Sequence, residues 1–123
     1  MAANILVVED DRLNRQLISK VLRREGYQVV EACDGEHALE ILQMLPFDLV
    51  ITDFMMPKLN GLKLVEQLHA FQPRLPIIFT TGYLSVISGE KIIHEVAEVL
   101  PKPFEIDVLR STVQRLLRDS ASC

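Results

Sequence analysis

The chain is 123 residues long, enough for one compact domain and too short for two ordinary ones. With 49% hydrophobic and 24% charged residues it has the balance of a folded globule, which excludes a disordered chain. Its 13 Lys and Arg against 17 Asp and Glu leave a formal charge of −4, without the basic stripe that direct nucleic-acid binding needs.

Ile5-Leu6-Val7-Val8 opens the pattern, and consecutive apolar, β-branched positions predict a strand covered on both faces. Leu13, Leu17 and Val21, with Ile18 and Leu22, then repeat at helical spacing opposite Arg12, Arg15, Arg23 and Glu25. Gly26 predicts the stop of that helix. Val29-Val30 predicts the second strand, closed by Cys33 as a small buried hydrophobe. Ala38, Leu42 and Leu45 predict a helix that Pro46 ends, and Leu49-Val50-Ile51 the third strand. Gly61, Val65 and Leu68 predict the third helix, bounded by Pro73, and Ile77-Ile78-Phe79 the fourth strand. Between Ser85 and Val96 a fourth helix is expected, weakened by Gly89; Val99-Leu100 is the fifth strand. Beyond Pro103, Ile106, Leu109, Val113 and Leu116 make the last and cleanest helical stripe. Five strands alternating with five helices predict an α/β fold, a doubly wound parallel sheet with helices on both faces.

No apolar run approaches the roughly 18 residues of a membrane span, and the start lacks a secretory signal. Cys33 and Cys123 are too few for a disulfide framework or a four-cysteine zinc site. The expectation is a cytoplasmic single domain over 1–123, with its core over about 4–118 and a frayed tail over 119–123.

In an open parallel sheet, ligands bind beyond the carboxyl ends of the strands, where strand order reverses. Glu9, Asp10 and Asp11 follow the first apolar run, Asp53 the third, Thr80 and Thr81 the fourth, and Lys102 the fifth. Distant stretches therefore contribute carboxylates, hydroxyls and an ammonium to one edge. Crowded carboxylates repel unless a proton or cation neutralises them, and oxygen ligands with room for water suit Mg²⁺. A magnesium ion facing a lysine is a cradle for a phosphoryl group. Each group alone has a plainer reading. The Glu-Asp-Asp run is a solvated helix start, where negative charge suits the dipole. Thr81 before Gly82 is a β-former beside a turn. Lys102 is a solvated loop lysine, although Pro101 and Pro103 fix the backbone on both sides. Their joint placement at strand ends is what favours a site.

Other chemistries find little support. The five glycines form neither a dinucleotide loop nor a Walker loop, and no Ser-centred nucleophile elbow is present. His37, His69 and His94 fall at no ligand spacing and read as surface residues.

Taken in order, Ile5-Leu-Val-Val-Glu-Asp-Asp11, Asp53-Phe-Met-Met-Pro-Lys-Leu-Asn-Gly61, Thr80-Thr-Gly82 and Leu100-Pro-Lys-Pro-Phe104 resemble the receiver domain of bacterial two-component response regulators. The resemblance runs from about Ile5 to Leu117. It implies a flavodoxin-like five-stranded sheet in order 2-1-3-4-5 with five helices. It also implies Asp53 as phosphoacceptor, with Glu9, Asp10, Asp53 and the backbone carbonyl of Met55 holding Mg²⁺. Thr81 matches the hydroxyl that bonds the phosphoryl group, and Lys102 the lysine that pairs with its oxygens. The Lys102–Pro103 bond matches one that is usually cis.

Three departures stand out. Val99 replaces the aromatic switch residue three positions before the lysine, and His94-Glu-Val-Ala97 replaces the usual Gly-Ala turn. No output domain is expected after the last helix. The opening Asp11-Arg-Leu-Asn-Arg15 is similar to receivers of hybrid kinases and phosphorelays, so a stand-alone regulator and an excised receiver both remain open.

The function implied is a phosphorylation-controlled signalling switch that catalyses only its own phosphoryl transfer and dephosphorylation. It would change partner binding through the face of the fourth helix, fifth strand and last helix. The implied partners are a sensor histidine kinase or histidine phosphotransfer domain and an unidentified downstream protein. A homodimer is possible; direct nucleic-acid and membrane binding are not expected. Two other classes compete. A degenerate receiver acting as a scaffold is disfavoured because every polar site position is filled. A metal-dependent phosphatase or phosphotransferase would need a second acid near the nucleophile, and Met55 stands two positions beyond Asp53.

Overall fold

The computed structural model describes residues 2–53, 61–82 and 96–121. The elements run β1 (Asn4–Val8), α1 (Arg12–Arg24), β2 (Gln28–Ala32), α2 (Gly35–Met44), β3 (Leu49–Asp53), α3 (Gly61–Phe71), β4 (Ile77–Thr81), β5 (Glu98–Pro101) and α4 (Ile106–Ala121). The helix expected between Ser85 and Val96 lies, except for Val96 itself, outside the described residues. All strand pairs are parallel, in the order β2-β1-β3-β4-β5. This is the doubly wound arrangement that the alternating pattern and the resemblance led us to expect.

Consecutive apolar residues on a strand point to opposite faces, so each run feeds two cores. Leu6, Val8, Val50, Ile77 and Phe79 pack with Ala38 of α2 and Leu64, Val65 and Leu68 of α3. Ile5, Val7, Leu49, Ile51 and Ile78 pack on the other face with Ile18, Val21 and Leu22 of α1 and Leu109, Val113 and Leu116 of α4. The central strands β3 and β4 are buried along their whole length. Fully burying one such Leu or Ile contributes roughly 1.5–3 kcal/mol.

Helix α1 begins where the Asp11 carboxylate, as N-cap, accepts from the Leu13 N–H. It ends where Gly26 takes φ of 93°, with its N–H donating to the Arg23 carbonyl. A side chain at Gly26 would meet nothing within 4 Å, so the backbone conformation, not space, calls for glycine there.

Several expectations need correction. Leu13 is 75% exposed and Leu17 49%, so α1 buries only the Ile18–Val21–Leu22 side of the predicted stripe. Leu45 lies beyond α2 as its C-cap and is exposed, and Ile106 at the start of α4 is also exposed. Cys33 is exposed just past β2 rather than buried. Helix α4 continues to Ala121, so the backbone at Asp119 is helical where a frayed tail was expected.

Candidate functional site

Strand β1 lies between β2 and β3, with α1 packed on one face of the sheet and α3 on the other. Chains leaving β1 and β3 therefore diverge, and the carboxyl ends of these two strands border a crevice. Glu9 follows β1 directly and Asp53 is the last residue of β3. Glu9 is 2% exposed, Asp53 7%, and Asp10 is exposed at the rim. One carboxylate oxygen from each of Glu9, Asp10 and Asp53 lies within 4.8 Å of the other two.

Lys102 enters from the end of β5. Its backbone N–H donates to the Thr81 carbonyl at 2.6 Å, and its bond to Pro103 is cis, as the resemblance implied. Its Nζ donates to Glu9 Oε2 at 3.1 Å and stands 3.2 Å from Asp53 Oδ2. Glu9 Oε1 accepts from the Asp11 N–H at 3.3 Å. Residues separated by most of the chain thus meet within one charge cluster. Thr81 closes β4 and is buried. The β3–β4 register sets its neighbour Thr80 opposite Asp53, and the Thr80 hydroxyl is buried with no hydrogen-bond partner among the described residues. Met55, expected to lend a carbonyl to the metal, lies outside the described residues.

Burial pushes the Glu9 carboxyl above its usual range, and the Asp53 charge pushes the same way; Lys102 offsets part of this. Burial alone would lower the pKa of Lys102. Asp53 and Glu9 outweigh it, so the net shift is upward and the ammonium stays charged. When ionised, the three carboxylates of this cluster share the Lys102 ammonium, which contacts Glu9 and Asp53. All three donors are hard oxygens, and one is open to solvent. That set suits a hydrated divalent cation such as Mg²⁺.

One contact was not legible in the residue spacing. Arg15, read as part of the solvent face of α1, donates from Nη1 to the backbone carbonyl of Glu9 at 2.8 Å. The helical pattern places Arg15 opposite the apolar stripe, but it does not show which strand end that column overhangs.

The family model described as the response regulator receiver domain matches residues 5–114. Response regulator receiver protein CpdR of Brucella abortus is 35% identical over 114 residues, covering 92% of this chain and 95% of that protein. Response regulator MprA of Mycolicibacterium vanbaalenii is 38% identical over 119 residues, covering 96% of this chain but only 52% of that protein. The chain thus spans nearly all of one relative and about half of the other. Among solved structures, response regulator TrrA of Thermotoga maritima, in complex with Mg²⁺-BeF, superposes with a TM-score of 0.86 at 33% identity. That match covers 94% of this chain and 99% of TrrA.

Proposed function

This chain belongs to the response regulator receiver family, and from that premise we propose that it is a phosphorylation-controlled switch with Asp53 as its phosphoacceptor. The observation that carries the reading is the cluster of Glu9, Asp10 and Asp53 oxygens with the Lys102 ammonium between Glu9 and Asp53. An Asp53 oxygen attacks the phosphorus of a partner's phosphohistidine. The P–N bond breaks, its electron pair returns to the imidazole, and the new O–P bond makes an acyl phosphate. Lys102 pairs with the arriving phosphoryl oxygens, and the Thr81 hydroxyl donates to one of them. Glu9, Asp10, Asp53 and the Met55 carbonyl would hold Mg²⁺, which would supply neutralisation of the phosphoryl charge.

The phosphodonor is a sensor histidine kinase or a histidine phosphotransfer domain. The exposed side chains of Leu13 and Leu17 on α1 offer it an apolar footing. Beside them lies a groove of about 320 Å³ lined by Leu17, Ile18, Lys102 and Phe104, so the footing adjoins the site lysine. No helix among the described residues is long and apolar enough to cross a membrane, and the cytoplasm, where such donors act, is the proposed location. Output passes to a downstream protein through the surface that includes β5 and α4.

Intact mass after incubation with acetyl phosphate and Mg²⁺ tests the reading. One labile phosphoryl adduct per chain is expected. No adduct would mark a scaffold, and continuous release of phosphate from varied small substrates would mark a phosphatase.

A further inference from the structure

The guanidinium of Arg15 ties the metal-binding turn to the outer strand of the sheet. Its Nη1 donates to the Glu9 carbonyl at 2.8 Å, and its Nε donates to Glu31 Oε1 at 3.2 Å. Glu31 lies on β2, the edge strand. Its other oxygen accepts from Arg23 Nη2 at 3.5 Å, and the same nitrogen donates to the Val29 carbonyl at 3.1 Å. Arg23 is thereby a second strut from α1 to β2. Arg15 and Glu31 are both largely shielded, with side chains 18% and 27% exposed.

The Glu9 backbone is held on both sides of its Cα. Its N–H donates to the Ala32 carbonyl at 3.1 Å, and its own carbonyl receives Arg15. Strand pairing of β1 with β2 ends at Val8 and Ala32, so the next residues have no ladder to orient them. Fixing the N–H and the carbonyl on either side of the Glu9 Cα sets where its carboxylate enters the crevice and where Asp10 stands beside it. A planar guanidinium can span two acceptors with fixed geometry, which an ammonium cannot.

We propose that Arg15, anchored by Glu31, is a positioning residue for Mg²⁺ binding: it holds the Glu9–Asp10 turn in the geometry that the ion needs. The proposal rests on the metal-site reading given above. It runs against simple electrostatics, because removing a nearby cation would by charge alone tighten Mg²⁺ binding. Groups that orient metal ligands through hydrogen bonds typically change affinity by about 10–100-fold when removed.

The test is calorimetric Mg²⁺ titration of the parent, Arg15→Lys, Arg15→Met, Glu31→Gln and the Arg15→Met/Glu31→Gln double variant, with metal-free melting measured in parallel. Arg15→Met should weaken Mg²⁺ about 10-fold or more, and Arg15→Lys, which keeps the charge but loses the fork, should weaken it as well. Glu31→Gln should have a smaller effect in the same direction, and the double variant should be no worse than Arg15→Met alone. Lowered melting with unchanged affinity, or tighter binding in Arg15→Met, would overturn the proposal. If Arg15→Met does not fold, unchanged affinity in Arg15→Lys and Glu31→Gln overturns it equally. A parent that binds no Mg²⁺ refutes the metal-site reading itself, an outcome distinct from either.

Discussion

Asp10 and Glu9 are neighbours in sequence with opposite surroundings, and their substitutions should behave differently. Asp10 is exposed at the rim, and its charge adds to the repulsion in the empty site. Asp10→Asn should therefore abolish the rise in melting temperature that Mg²⁺ produces, while the metal-free variant melts at or above the parent; thermal scans with and without millimolar Mg²⁺ check this. Glu9 is buried, and its carboxyl pKa is raised above 4.5, first by burial and then by Asp53. With a folded pKa above the unfolded one, its contribution to stability is complete below 4.5 and is lost as pH rises through the folded value. Mg²⁺ must displace that proton, so its affinity should increase as pH is raised from 4.5 through the folded pKa. Titrations at a series of pH values should show proton release on binding that fades at the upper end; flat affinity across the range would contradict it. Met55 and Tyr83, two residues beyond Asp53 and Thr81, carry neither carboxylate nor amide to orient a hydrolytic water. The phosphorylated chain should accordingly be long-lived, and Met55→Asn should shorten its lifetime as followed by intact mass.

Helix α1 separates what residue patterns can and cannot tell. Its apolar positions occupy two adjoining columns, and spacing alone does not decide which column meets the sheet. The structure buries Ile18, Val21 and Leu22 and leaves Leu13 and Leu17 outside. Leu22→Ala should therefore cost about 2–5 kcal/mol in denaturant unfolding. Leu13→Ala should change stability by no more than about 0.5 kcal/mol. Equal costs at the two positions would contradict the assigned face. The strands were easier to read, because Ile5–Val8 and Leu49–Ile51 are buried on both sides and no face has to be chosen. Cys33 was misplaced for the reason that misplaced Leu45: each stands just past the end of its element, where periodicity stops being informative. The strand-end acids and Lys102 were legible because a parallel sheet brings every carboxyl terminus to one edge. The Arg15–Glu31 tie was not, since it depends on the angle at which α1 crosses β2.

The molecule as a whole is two apolar cores on either side of one sheet, with Glu9, Asp10 and Asp53 gathered at one edge of it. Such a body gains stability from any cation bound at that edge, and the gain grows with the logarithm of concentration once the site is saturated. The melting temperature of the parent should climb steadily with Mg²⁺. The order β2-β1-β3-β4-β5 puts Glu9, just past β1, beside Asp53 at the end of β3, and Lys102, just past β5, reaches both carboxylates. Attack by Asp53 on a phosphoryl group is the central claim, and an acyl phosphate has a distinctive chemistry: borohydride reduces it and converts the aspartate to homoserine. After acetyl phosphate and Mg²⁺, borohydride trapping followed by peptide mapping should place homoserine at position 53, and nowhere else. Homoserine at a different aspartate, or none in protein that demonstrably binds Mg²⁺, would contradict the account.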